Sequence, residues 1–427
     1  MRSAFAPQSL PTLLALVGAL GCGPPPDGRA ATALEGAVSA PVRAGIEVLL
    51  DDSLHVVAGR AVGVVTNHTG LSVGPGGELL HTIDRLNQRP DVELVAIFGP
   101  EHGYRGEAEA GEHVESGRDR VTGLPIHSLY GAASMRKPTP EMLEGVEVLV
   151  FDIQDVGARY YTYVYTMALA MEAAGEAGIS FVVLDRPNPI DGVTVQGNVL
   201  DPAFATFVGM YAVPMRHGMT PGELARLFVG EFGIDVDLHV VPAQGWRRDM
   251  PFEETGLPWV APSPNMPDVV SALHYPGTCL FEGTSLSVGR GTDRPFQQVG
   301  APWLDGAALA ERLNARAVPG VRFEAVVFTP ESPGDGKFGG TSVEGVRFVA
   351  LDAAYDPTRA AVTALEEARR MSGDDWAWRE AHFDRLAGTD HTRLALSAGR
   401  TAAEVVDGWA EQLEAFRRLR APYLIYP

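Results

Sequence analysis

The chain has 427 residues, of which 45% are hydrophobic and 21% charged, an ordinary globular composition. Single cores rarely grow beyond roughly 250–300 residues, so two domains are expected. The formal net charge of -20 argues against a nucleic-acid partner, and two cysteines, Cys22 and Cys279, exclude a disulfide-stapled scaffold and a cysteine-based zinc site.

The N-terminus reads as an export signal. Arg2 supplies a positive start, and the apolar run from Leu10 to Leu20 is too short for the about 20 residues that a spanning helix needs. The run ends at Ala19-Leu20-Gly21-Cys22, which resembles a bacterial lipobox whose cysteine is acylated after cleavage. Ala19 stands where a larger aliphatic residue is usual, so plain cleavage is the alternative. Residues 1–22 are therefore expected to be a signal peptide of lipoprotein type with Cys22 as the lipidation site, and residues 23–43, rich in Gly, Pro and Ala, a flexible tether. This places the chain outside the cytoplasm, in the periplasm or cell envelope, touching a membrane through that anchor alone. Cys279 is then left without a partner and reads as a small buried residue.

From residue 44 to 264, short apolar runs alternate with amphipathic stretches. Val62 to Thr66, Glu93 to Phe98, Val146 to Asp152 and Ser180 to Asp185 read as buried strands, because continuous β-branched runs suit a parallel sheet covered on both faces. Leu79 to Asn87, Tyr163 to Ala177 and Thr220 to Phe232 read as helices. The last begins Thr220-Pro221-Gly222-Glu223, a cap, a first-turn proline and a capping-box glutamate. The alternation predicts an α/β, Rossmann-like doubly wound parallel sheet. No G-x-G-x-x-G follows the first strand, so no dinucleotide or other cofactor is expected. From 265 to 427 the pattern changes to a smaller C-terminal α+β auxiliary domain. It has helices over Gly306 to Ala317, Pro357 to Met371 and Ala402 to Arg420, and strands over Phe323 to Phe328 and Val343 to Leu351.

Open parallel sheets bind ligands beyond the carboxyl ends of their strands. Four strands here deliver polar residues to that edge: Asn67 and His68; Glu101, His102, Tyr104 and Arg105; Asp152 and Asp155; Asp185, Arg186 and Asn188. The loop from Glu101 to Gly123 is far longer than the common 4–6 residues and carries five glutamates. Glu101, between Pro100 and His102 at a strand end, is held against the sheet. Loss of water there favours a protonated carboxyl that can donate its proton. Glycoside hydrolysis uses one such acid and a second carboxylate, for which Glu112, Asp152 and Asp155 compete. Tyr104, Arg159, Tyr160, Tyr161 and Tyr163 offer sugar platforms and planar donors. A nucleophile elbow is not supported, since Gly283-Thr284-Ser285-Leu286-Ser287 lacks the final glycine. There is no H-E-x-x-H, and a metal on His102, Asp152 and Asp155 is the weaker alternative.

Several blocks together resemble a known family: Phe98 to Gly106, Thr122 to Gly131, Val150 to Gly157, Leu184 to Pro189, Arg216 to Leu224 and Pro262 to Pro267, then Tyr275-Pro276-Gly277, Glu282-Gly283-Thr284, Gly289 to Thr292 and Gly300 to Trp303. They are similar to the exo-β-N-acetylmuramidases known as NamZ, once a domain of unknown function, in order from about Gly45 onward. The resemblance implies a Rossmann-like catalytic domain, an auxiliary domain and an active site in the cleft between them. It further implies release of N-acetylmuramic acid from non-reducing ends of peptidoglycan fragments or muropeptides. It makes Glu101 the catalytic candidate; it does not carry over the second carboxylate, for which Glu112 and Asp155 stay candidates from the strand edge. A lactyl carboxylate on the substrate implies a positive clamp from among Arg105, Arg159, Arg186, Arg216 and Arg290. The remaining candidate contacts are His102, Tyr104, Asp152, Asn188, His217, Asn265 and Glu282 within these blocks, and Asn67 and Tyr160 from the strand edge. Two other readings remain, a peptidoglycan-binding lipoprotein without turnover and a metal-dependent hydrolase of another bond.

Overall fold

The computed structural model describes residues 41–74, 76–101, 104, 116–130 and 136–427. Helix α1 (Gly45–Asp52) leads into β1 (Ala61–Thr66), followed by a hairpin of β2 (Leu71–Val73) and β3 (Leu79–His81), then α2 (Thr82–Asn87) and β4 (Glu93–Gly99). After β5 (Gly117–Arg118) and β6 (Pro125–Ser128) come β7 (Val148–Asp152), α3 (Tyr163–Ala177) and β8 (Ser180–Leu184). A second antiparallel pair, β9 (Gln196–Val199) and β10 (Pro214–Arg216), precedes α4 (Pro221–Phe232) and β11 (Leu238–Val241).

Seven of these strands form one sheet in the order β11-β8-β7-β1-β4-β6-β5, parallel throughout except for β5 against β6. Without β5 this is the doubly wound 3-2-1-4-5-6 order, and the winding reverses between β1 and β7. The period of two sorts the strand residues to opposite faces. Val62, Val64, Val148, Val150 and Val182 pack with Ile46 and Leu49 of α1. Val65, Leu149, Phe151, Phe181 and Val183 pack with α3 and α4. The expected α/β class and doubly wound sheet are thus what the chain adopts.

The second half contains α5 (Val269–Thr278), β12 (Gln298–Ala301), α6 (Gly306–Ala315), β13 (Val321–Phe328), β14 (Val343–Ala350), α7 (Pro357–Ser372), α8 (Glu380–Ala387), α9 (His391–Ser397), α10 (Ala402–Asp407) and α11 (Ala410–Arg420). Its sheet is antiparallel, in the order β12-β14-β13.

Three elements differ from expectation. The helix expected from Leu79 begins at Thr82, because Leu79 to His81 pair with β2 and the His81 ring accepts from the Ile83 amide as a cap. Helix α5 was hidden by Pro276 and Gly277 in its last turn. Glycine is required there, since a Cβ would lie 1.9 Å from the Pro357 carbonyl oxygen at the start of α7. The single helix expected over Ala402 to Arg420 is broken at Gly408 and Trp409.

The two halves share one hydrophobic core that runs from Phe98 and Phe151 to Phe281, Phe348 and Leu365, and residues 40–427 form one compact unit. Polar ties cross between them as well. Arg420 donates to the carbonyls of His217 and Val193, and the Tyr426 hydroxyl donates to Asp185 at 2.6 Å. No described helix is long and apolar enough to cross a membrane.

Candidate active site

Strand β4 ends at Gly99, and Pro100 stops the ladder, so Glu101 leaves the sheet edge half-buried. Its Oε2 accepts from the Thr162 hydroxyl at 2.7 Å, and Thr162 is the residue just before α3. Strand β6 brings Tyr130 to the same edge. Burial and then the negative charge of Glu101 push its phenol up to about 12. The guanidinium of Arg136 lies 5.6 Å from the Tyr130 ring and 4.1 Å from Phe207.

The segment after β7 supplies the floor of a cleft in front of Glu101. Gly157, at φ +81°, turns the chain so tightly that a Cβ would meet Asn188 Oδ1 at 2.4 Å. That turn delivers Tyr160, Tyr161, Thr162 and Tyr163 in succession. The Tyr160 hydroxyl donates to the Pro276 carbonyl and that of Tyr163 to the Pro262 carbonyl, so both rings are fixed. Edge-to-face contacts run from Tyr163 through Tyr161 and Tyr275 to Phe296, with centroids 5.1, 5.9 and 4.7 Å apart.

The opposite wall comes from the second half: Asn265 in the turn before α5, Glu282 just after it, Arg290 in a loop before β12, and His382 and Arg385 on α8. Arg290 Nε donates to Glu282 Oε1 at 2.6 Å, and the guanidinium carbon lies 5.0 Å from the Phe296 centroid. Burial raises the Glu282 carboxyl, but Arg290 beside it, then Lys337 and His382, bring it below the usual range. Lys337 lies behind, donating to the carbonyls of Phe281, Glu282 and Leu286, and burial pushes its ammonium down to about 8.

Of the residues expected from sequence, Glu101, Tyr160, Tyr161, Tyr163, Asn265, Glu282 and Arg290 meet around this cleft. His102, Arg105, Glu112 and Cys22 lie outside the described residues. The others are drawn inward, where the protein itself takes their hydrogen bonds. Fully buried Arg159 donates to the carbonyls of Asn198, Val213, Leu386 and Ala387 at 2.7–3.1 Å. Asp152 is gripped by Arg186 at 2.6 and 3.0 Å and by the Thr82 hydroxyl, and Arg186 also reaches the Leu71 carbonyl. Arg216 pairs with Asp191 and Gln196. Asn188 bridges the Met219 carbonyl and the Ile190 amide, and Asn67 caps its own turn by accepting from Thr69. Tyr104 packs against His81 in the core on the α1 face, with ring centroids 5.2 Å apart. Each of these residues is buried, and none lines the cleft.

Asp155 and His217 form a separate pair under the tyrosines. Asp155 is 3% exposed, its Oδ2 accepts from the Gly157 amide at 2.7 Å, and burial raises its carboxyl to about 7. His217 Nε2 lies 3.9 Å from that oxygen, and burial pushes the imidazole down to about 3, so it is neutral. Neither residue lines the cleft. Among the described residues no group of three or more His, Cys, Asp or Glu is placed to hold a metal ion. Cys279 is fully buried with Sγ 3.6 Å from Glu282 Oε2, in the structural role expected of it.

Sequence reasoning missed Thr162, Tyr130, His382 and Arg385. Thr162 was legible as the residue before an expected helix, whereas His382 and Arg385 sit on α8 with no motif to single them out.

The point where the winding reverses, the usual ligand crevice of this fold, is closed here. Thr69, Leu71, Gln154 and Arg186 are covered by Leu257, Pro258 and Val260. The open site lies to the side, at the end of β4.

Profiles described as the N-terminal and C-terminal parts of the exo-beta-N-acetylmuramidase NamZ match residues 62–270 and 273–426. The chain is 45% identical over 387 residues to the peptidoglycan beta-N-acetylmuramidase NamZ of Bacillus subtilis (strain 168), a match that spans 90% of this chain and 91% of that one. Crystal structures of two DUF1343 family proteins from Bacteroides fragilis NCTC 9343 superpose with TM-scores of 0.83 and 0.72, at 37% and 31% identity, each covering 91% of this chain and 99% of the other. With these matches over both halves, the chain belongs to the NamZ family of exo-β-N-acetylmuramidases.

Proposed function

We propose that this chain is an exo-acting glycosidase that releases N-acetylmuramic acid from the non-reducing ends of peptidoglycan fragments, in cell-wall turnover or scavenging. The observation that supports this most directly is Glu101. It is held half-buried at the edge of an aromatic cleft by the Thr162 hydroxyl, in a chain whose family is defined by this activity. Glu101 protonates the leaving oxygen as the glycosidic bond breaks, and a water molecule adds to the anomeric carbon and loses one proton, which returns Glu101 to its acid form over the cycle. Thr162 fixes the direction of its carboxyl, and the rings of Tyr161 and Tyr275 offer apolar faces to the sugar. Residues 44–264 thus carry the acid, and residues 265–427 supply the facing wall. Glu282 is the second carboxylate on the cleft among the described residues, and its bond to Arg290 assigns it to orienting that side chain.

Hydrolysis of para-nitrophenyl β-N-acetylmuramide tests the reading. Glu101→Gln keeps the side-chain volume and is expected to lower kcat about 10²–10⁴-fold on a glycan leaving group. The drop is smaller on nitrophenolate, which leaves without needing a proton. Unchanged turnover of a glycan substrate in Glu101→Gln, or turnover abolished by a chelator, would rule the reading out. The N-terminal segment supports an extracytoplasmic location with Cys22 as the lipid-bearing residue. Metabolic labelling with a palmitate analogue, lost in Cys22→Ala, is the expected result, and equal labelling of both would reject it.

A further inference from the structure

The wall of the cleft contributed by the second half is cationic in a chain of net charge -20. Arg290, His382 and Arg385 line it, Lys337 stands behind, and Glu282 is its one carboxylate among the described residues. The geometry of Arg290 is specific. Its Nε is bound to Glu282 Oε1, and among the described residues its two terminal nitrogens have no acceptor. A guanidinium offers two parallel-donor edges, Nε/Nη and Nη/Nη. Glu282 engages the first at Nε, and Phe296 packs on the face, so the second edge is fixed in orientation and open. The side chain is 15% exposed, and the surface it lines is the cleft.

Helix α8 adds two donors. Arg385 donates to His382 Nδ1, which leaves the ring proton of His382 on Nε2. The wall therefore presents a forked guanidinium, an imidazole N–H and a second, exposed guanidinium, all of them donors, so the ligand must supply the acceptors. Among the described residues, Arg159, Arg186 and Arg216 are placed differently, because their terminal nitrogens already donate to carbonyls and carboxylates of the protein.

We propose that Arg290, oriented by Glu282 and assisted by His382 and Arg385, binds the lactyl carboxylate of N-acetylmuramic acid and is the residue that distinguishes this sugar from N-acetylglucosamine. The inference rests on the proposed function for its choice of sugar. The two sugars differ by the lactyl ether alone, so an open forked donor on one wall reads the difference directly.

The test is calorimetric binding of free N-acetylmuramic acid and of N-acetylglucosamine to the full chain, with hydrolysis of the nitrophenyl muramide followed in the same preparations. Wild type is expected to bind the acidic sugar about 10–100-fold more tightly, the range of a charge-assisted pair of hydrogen bonds. Arg290→Gln removes most of that ratio and leaves the neutral sugar's affinity unchanged. Arg385→Ala reduces the ratio part-way, with the remaining preference weakened by added salt. Arg290→Gln strands Glu282, so the double variant Arg290→Gln/Glu282→Gln, which removes the pair without an orphaned charge, must show the same loss of discrimination. Equal weakening of both sugars in these variants, or a ratio that survives them, would overturn the clamp. Binding that depends on Arg290 without any hydrolysis would instead overturn the proposed function and leave the clamp standing.

Discussion

Replacing Tyr426 by Phe deletes one oxygen that serves two partners. The hydroxyl donates to Asp185 Oδ2 at 2.6 Å and accepts from the Ala243 amide at 2.9 Å, in a site where Tyr426 is 9% exposed. The ring stays, packed edge-on to Trp246 at 4.8 Å, so little cavity forms. A hydrogen bond to a charged group contributes about 1.5–3 kcal/mol, and a stranded buried amide costs about 1–3 kcal/mol, so the loss is about 3 kcal/mol once local relaxation is allowed. For roughly 390 residues the unfolding entropy is about 0.8 kcal/mol/K, and the melting temperature is expected to fall by about 4 °C. Asp185 retains bonds from Thr220 and Gly222, but burial already raises its carboxyl to about 6. The hydroxyl favours the ionised form, so the gap between wild type and variant is expected to be largest above pH 6 and to narrow below it. Differential scanning calorimetry at pH 5 and pH 8 measures both effects. Tyr423→Phe is the control: its hydroxyl meets Glu231 at the same 2.6 Å but in solvent, and no shift beyond error is expected. Equal shifts for the two variants would refute the argument that burial sets the magnitude.

Asp155 titrates near 7 in the folded chain against 3.8 for the ordinary group, so the native state holds a proton that the unfolded chain releases. Its contribution to stability therefore falls as pH rises from about 4 to about 7. Asp155→Asn is expected to flatten that slope in denaturant titrations across this window, and an unchanged slope would assign it to another group. Arg248→Met leaves Glu223, whose side chain has no exposure, without its cation, and is expected to lose about 3–5 kcal/mol. Adding Glu223→Gln should recover a large part of that loss, and no recovery would show that Arg248 acts through the carbonyl of Gly218 instead.

The strands were legible because their runs of Val, Leu and Phe are continuous and bounded, which a doubly covered parallel sheet imposes on a sequence. Where propensity and packing disagree the sequence misleads, as at Leu79 to His81, which read as helix and pair as strand. Glu101 was legible because Pro100 and the strand before it fix its place. Asp152 and Arg186 carried the same kind of signal, since a polar residue after a strand looks identical whether it faces a ligand or a neighbouring side chain. Composition and order cannot show that Arg186 on one strand meets Asp152 on the next. His382 and Arg385 were invisible for the opposite reason: they reach the cleft through packing of α8 more than 270 residues after Glu101, a contact that no local pattern encodes.

The ion pair at the point where the winding reverses has a consequence for how this fold can be used. Dinucleotide enzymes leave that crevice vacant, and a diphosphate brought by the ligand supplies the negative charge over the strand ends. Here the anion is internal: Asp152 occupies the end of β7, and Arg186 from the end of β8 balances it beneath a cover of Leu257, Pro258 and Val260. A soluble nucleotide would have to displace a side-chain carboxylate and open that cover before it met a single amide. The architecture has thus exchanged an exchangeable guest for a permanent internal salt. In the proposed function the chemistry is carried by the neighbouring strand end, where Glu101 faces a wall from the second half of the chain.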